Sequence, residues 1–190
     1  FIGSSAGENN TGIKNTAVGG LALDAANANG GNVAVGYQAL TACTTADLTA
    51  VGYQALAANT SGGGNAAVGY VALTANTTGA YNTAVGYQAL DANTEADFNT
   101  AFGYNALGSI TGGGVEACAQ NTAVGYNALT NTTSSTTSTA VGNNALTTTT
   151  SANNNTAVGH NALTAVTGAA QCTAIGANAG HNITTANHSV

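Results

Sequence analysis

One pattern of apolar and polar positions repeats along the whole chain. Asn-Thr-Ala-Val-Gly-Tyr-x-Ala-Leu recurs with small changes, and its glycine falls at Gly3, Gly19, Gly36, Gly52, Gly69, Gly86, Gly103, Gly125, Gly142, Gly159 and Gly176. The spacing is 16 or 17 residues, except for one of 22 that places an inserted loop at 108–120. Val, Ile or Phe precedes the glycine, and Ala stands two before it in ten of eleven repeats. Three after it Ala is invariant, and four after it comes Leu, from Leu23 to Leu163. Helical repeat units need more than about 30 residues, so this period is too short for two helices and a turn. It suits two short strands and two turns, one coil of a parallel β-solenoid. The expected fold is all-β, a β-roll of about eleven 17-residue coils forming one domain over 1–190.

Side chains alternate between the faces of a strand. Thr and Val, three and one before the glycine, therefore share a face, and x, Ala and Leu after it read as the next strand. The glycine is the corner, where a bend favours a residue without Cβ; the corner positions are Gly19, Gly36, Gly52, Gly69, Gly86, Gly103, Gly125, Gly142, Gly159 and Gly176. Coils stacked about 4.8 Å apart place like residues over one another and give a rod of roughly 50 Å. Asn15, Asn32, Asn65, Asn82, Asn99, Asn121 and Asn155, four before the glycine, are expected to form an amide ladder. Tyr37, Tyr53, Tyr70, Tyr87, Tyr104 and Tyr126, just after it, are expected to stack. If Val and Thr fill the coil, the Ala face points outward. A solvated outer face should be polar and varied, so constant Ala there implies close approach of another chain, most simply a homotrimer; the alternative is a flat coil with both faces internal.

The repeat resembles two kinds of surface fibre. Ala-Val-Gly-x-x-Ala strings are similar to those in the heads of trimeric autotransporter adhesins, left-handed β-rolls with a shorter coil. Asn82–Leu90, Asn121–Leu129 and Phe1–Gly7 look more like the repeats of bacteriophage tail fibres. The resemblance implies a trimeric, extracellular fibre on a virion or a cell surface. It also implies self-association and a host glycan or protein as the outside partner. The chain's ends are in register: joining Val190 to Phe1 regenerates Ser-Val-Phe-Ile-Gly at the same 17-residue spacing. That fits a segment of a longer fibre or a unit that stacks head to tail.

Composition changes this picture little. One Lys against seven acids among 190 residues excludes a basic nucleic-acid surface. No apolar run is long enough for a membrane span, and no signal peptide is expected at the start. Chemistry is sparse, and no enzyme, cofactor or metal is expected. Asp91, Glu95 and Asp97 share one turn without a calcium-loop pattern. Cys43, Cys118 and Cys172 lack zinc spacing. His160 takes a Tyr position, while His181 and His188 lie in the last turn. The Gly62–Gly64 and Gly112–Gly114 runs are turns, since no Lys-Ser/Thr follows them. Seven Asn-x-Ser/Thr sites, at Asn9, Asn59, Asn76, Asn131, Asn154, Asn182 and Asn187, are expected in turns. They mean glycosylation only in a host with that machinery.

The sequence therefore points first to a phage tail-fibre shaft involved in host attachment. An adhesin head or a self-stacking filament is the alternative, and an ice-binding solenoid a remote one. Against ice binding, the motif Thr is expected inside with Val, and the outer turns vary in length. Receptor choice, if present, is expected in the variable turns, above all 108–120.

Overall fold

The computed structural model describes residues 2–25, 29–110, 118–150 and 153–184. The joined ends and most of the inserted loop, with Glu116, Asn187 and His188, lie outside the described residues. Ten three-residue strands, from Thr16–Val18 to Thr173–Ile175, form one parallel sheet in chain order. Each pairs in register with the next: Ala17 opposes Ala34, Ala34 opposes Ala50, and so on to Ala157 and Ala174. The fold is thus an all-β parallel solenoid, and no helix occurs among the described residues. Its sheet encloses about nine turns rather than eleven coils. Counting glycines counts corners, and ten stacked strands enclose one turn fewer; the first repeat adds no strand and joins the sheet through a bridge between Ile2 and Val18.

The faces are the reverse of the expectation. The middle Ala of every strand is buried, whereas Thr and Val lie outside, half-buried or exposed. The core is built from that Ala and from the Ala-Leu pair after the glycine, as in Ala34, Ala39 and Leu40. The coil is thin, and the long sheet contributes only a methyl per coil to the interior beside the corner Leu; the larger buried side chains Ile110 and Val166 stand on the other wall. Ala is small because of its own coil's far wall, and the inference of a neighbouring chain against an Ala face loses its premise.

The segment after the glycine is not a strand. Left-handed backbone stands two and four residues past it, as at Gln38 (φ 56°) and Leu40 (φ 54°), and again five before the next glycine, as at Asp47 (φ 59°). These turns reverse the backbone direction, so its polar groups point alternately up and down the axis. Gln38 N–H donates back to Gly20 O (2.9 Å), and Leu40 N–H donates on to Ala55 O (3.1 Å). Left-handed backbone costs an L-residue about 1–2 kcal/mol. Burying a Leu side chain returns about 1.5–3 kcal/mol, so the corner Leu outweighs its own strain.

The corner glycine is required twice over. Its φ lies at 125–143°, and a Cβ on Gly19 would stand 2.5 Å from the Gly36 carbonyl oxygen. The second strand expected at x-Ala-Leu is absent among the described residues; a different segment, six and seven residues past the glycine, forms a short parallel sheet in four coils, at Ser109–Ile110, Asn131–Thr132, Thr148–Thr149 and Ala165–Val166. In the earlier coils that wall is made of turns.

Candidate functional site

The surface consists of ladders, each built by one repeat position. Four before the glycine, the Asn side chains are buried from Asn32 onward, but their amides do not bond to one another along the row; Asn15 and Asn65 donate instead to the amide oxygens of Asn10 and Asn59. Each Oδ1 accepts the backbone N–H of the same position one coil on: Asn15 from Asn32 (2.9 Å), Asn65 from Asn82 (2.7 Å), Asn82 from Asn99 (2.9 Å) and Asn99 from Asn121 (3.0 Å). Asn32, Asn121 and Asn155 receive the N–H of Leu48, Ser138 and Cys172 in the same way. The amides of Asn32, Asn82, Asn121 and Asn155 donate to the carbonyls of Thr45, Ala96, Ser135 and Ala169. This side chain substitutes for a strand where the backbone turns.

A true amide ladder stands elsewhere, seven residues past the glycine. Asn76 Nδ2 donates to Asn59 Oδ1 (2.6 Å) and Asn93 Nδ2 to Asn76 Oδ1 (2.8 Å). Asn59 and Asn76 both carry the glycosylation pattern, yet both are fully buried and cannot accept a sugar. Their shared 17-residue step is the signal in the sequence that marks them as ladder members.

Six Tyr side chains form one continuous stack. Centroids stand 5.6 Å apart for Tyr37–Tyr53 and 5.1 Å for Tyr53–Tyr70, Tyr70–Tyr87, Tyr87–Tyr104 and Tyr104–Tyr126, with planes within 3–17°. Asn143 occupies the next position, so His160 is separated from the stack it was expected to join. Beside the rings runs a row of surface amides, with Gln54 Nε2 on Gln38 Oε1 (2.8 Å) and Asn105 Nδ2 on Asn127 Oδ1 (3.0 Å). Gln38 and Gln54 line a shallow open groove with Thr41, Ala57, Ala58 and Thr74. On the strand face, Thr and Val rows run parallel to the axis, interrupted by the exposed Phe102 (57%) and ending at Ile175 (72%).

Among the described residues, the ionisable groups do not gather into one cluster. Asp97 Oδ1 accepts the Ala80 N–H (2.7 Å) and serves the turn. Asp91 is half-buried, and burial pushes its carboxyl above the ordinary range. Cys43, Cys118 and Cys172 are buried, and burial likewise pushes the Cys43 thiol up. Among the described residues, no three His, Cys, Asp or Glu side chains stand close enough to hold a metal ion. No helix there is long and apolar enough to cross a membrane. No protein-family model matches the chain, and comparison with curated proteins and with solved structures gives no match.

Proposed function

We propose that the chain is a structural fibre segment, most like the shaft of a phage tail fibre, displayed outside the cell and involved in reaching a host surface. The observation that carries this reading is continuity along the axis. Corner glycines, Asn side chains and Leu amides each bond one coil to the next, so the molecule is built as a rod. An adhesin head has the same rod and is distinguished by a membrane anchor in the flanking sequence. Self-association is part of the proposal, as a homotrimer, by head-to-tail stacking, or both. The copies meet through the Thr/Val face, where Phe102 and Ile175 are exposed, and not through an Ala face. Sedimentation and electron microscopy of the purified chain test this: elongated trimers or filaments are expected, and a stable single-chain particle at micromolar concentration overturns it.

The outward Thr row favours a second reading, an ice-binding solenoid, because the objection that Thr lies inside the coil does not hold. Regularly spaced hydroxyls and methyls on a charge-free face can order water. Thermal hysteresis of the purified chain decides it, and a freezing point equal to the melting point rules it out.

A further inference from the structure

We propose that the tyrosine stack is an oxidative stapling seam, in which neighbouring phenols couple to dityrosine and tie consecutive coils together. The inference rests on the fold alone and not on the fibre reading. Each inner ring has a parallel phenol above and below it at 5.1–5.6 Å. The rings are 40–50% exposed, open to a small oxidant and able to swing on their side-chain bonds. The backbone beneath them is locked by inter-coil bonds, so every ring keeps the same two neighbours. Proximity of this kind turns a bimolecular coupling into an effectively unimolecular one.

The chemistry balances with a peroxide as oxidant, delivered through a haem peroxidase. Each of two phenols loses one electron and its hydroxyl proton, giving two phenoxyl radicals with spin on the ring carbons beside the oxygen. Those carbons form one C–C bond. The hydrogen on each then shifts to its phenoxyl oxygen, which restores both aromatic rings and both hydroxyls. The two electrons and two protons reduce one hydrogen peroxide to two waters. The chain also holds its own control. Tyr81 is stacked on Phe98 at 5.3 Å and is more exposed, at 63%, than any ring of the seam. It has equal geometry, but its ring partner carries no hydroxyl.

The test treats the full chain with hydrogen peroxide and a haem peroxidase, then reads dityrosine fluorescence, intact mass and a peptide map. Links within single chains are expected, each removing two hydrogens and joining only neighbours in the series Tyr37, Tyr53, Tyr70, Tyr87, Tyr104, Tyr126. Replacing every second phenol, by Tyr53→Phe, Tyr87→Phe and Tyr126→Phe, keeps an aromatic ring at each position and leaves no phenol beside another. Intrachain dityrosine should then fall by about tenfold or more. The map of the unsubstituted chain is decisive even if the variant folds poorly. Links that involve Tyr81 as often as the seam, links that skip a ring, or links found only between chains overturn the proposal.

Discussion

The two ends of the solenoid share one wall and differ in the other. Both carry the long sheet and the corner of glycine, Ala and Leu. Seven residues past the glycine, the earlier coils place Cys43, Asn59, Asn76 and Asn93, and the later coils Ile110, Thr132, Thr149 and Val166. Asn closes a turn there: its amide reaches the carbonyl three residues on, at Gly62 for Asn59 (3.0 Å) and Gly79 for Asn76 (2.8 Å). The β-branched residues have no such amide and favour extended backbone, so in the later coils the wall bonds as a sheet. Ser109 N–H meets Thr130 O, and Asn131 N–H meets Thr147 O, both at 2.9 Å. Backbone bonds join the coils along that wall at both ends, as from Ala58 N–H to Thr74 O and from Ala75 N–H to Asp91 O, both at 3.1 Å; one side chain per coil decides whether an amide ladder is added to them. The change leaves a scar at the junction: Asn93 Oδ1 faces a coil whose matching residue is Ile110, and it is buried without a partner. Asn99 Nδ2, in the coil that precedes the insertion, is likewise buried and unpartnered.

Substituting the shared corner should have the largest effect and should not distinguish the two ends. Gly86→Ala and Gly142→Ala each place a Cβ against the carbonyl of the next corner, at φ of 139° and 138°. Each is expected to cost about 4 kcal/mol or more, enough to lose the folded state or sharply lower its yield. Urea unfolding of both variants checks this. A large loss in one and a small loss in the other would show that the corner is not the common element.

The second wall should respond unequally. Asn76→Ala removes the middle of the amide ladder and takes partners from Asn59 and Asn93, for a loss of about 2 kcal/mol. Thr149→Val removes a buried hydroxyl whose mate, Thr132 Oγ1 at 2.9 Å, still donates to Leu129 O at 3.1 Å; the expected change is under about 1 kcal/mol. Denaturant midpoints compared at equal slope measure the gap, and equal losses would erase the distinction between the walls.

The junction offers a smaller change of opposite sign. Asn93→Thr removes the unpartnered carbonyl oxygen, and its hydroxyl can donate to Asn76 Oδ1 one coil back, as the Thr149 hydroxyl meets Thr132 Oγ1, so that Asn76 keeps a donor. A gain of about 1 kcal/mol is expected, with the short sheet extended by one coil. Thermal unfolding that falls instead would show that Asn93 Nδ2, which bonds Asn76 and Ala96, matters more than its orphaned oxygen.

How far these features could be read from the sequence follows from what a strict period records. It records position: the corner glycines, the Tyr row and the Leu of the core each occupy a fixed step, and stacking follows from that step. It does not record which face is inside. In a strand of three residues, two side chains lie on one face and one on the other, and apolarity favours placing Val35 inside over Ala34. What decides is the width of the coil, set by left-handed backbone at residues such as Leu40 and Gln38. Leu and Gln carry no signature of that conformation, so the narrow interior and its preference for Ala were hidden. The second amide ladder is different: the 17-residue step of Asn59, Asn76 and Asn93 marks it, but they fall in stretches rich in turn formers, where an Asn taken singly looks like any loop residue.

The smallest expected effect concerns a position where Thr recurs at both ends and several coils carry another residue. Five residues past the glycine, Thr41, Thr147 and Thr164 each donate a hydroxyl to the carbonyl three residues back, at 2.7 Å, in earlier and later coils alike. Asp91 holds this position in its own coil and, when ionised, has no proton to give. Burial raises its folded pKa above the ordinary 3.8, so the folded state binds the proton more tightly than the unfolded chain does. Its contribution is therefore most favourable below the unfolded pKa and is lost as pH rises through the folded one. Asp91→Thr should remove that loss and restore the hydroxyl donor. The variant's advantage in melting temperature should widen from acid toward neutral pH and then level off, remaining modest because the carboxyl is only half-buried. Melting curves of the two proteins across that range are the measurement. Parallel curves would mean that water already solvates Asp91 as well in the fold as in the open chain, and that this position, unlike the one two residues further on, does not discriminate between coils.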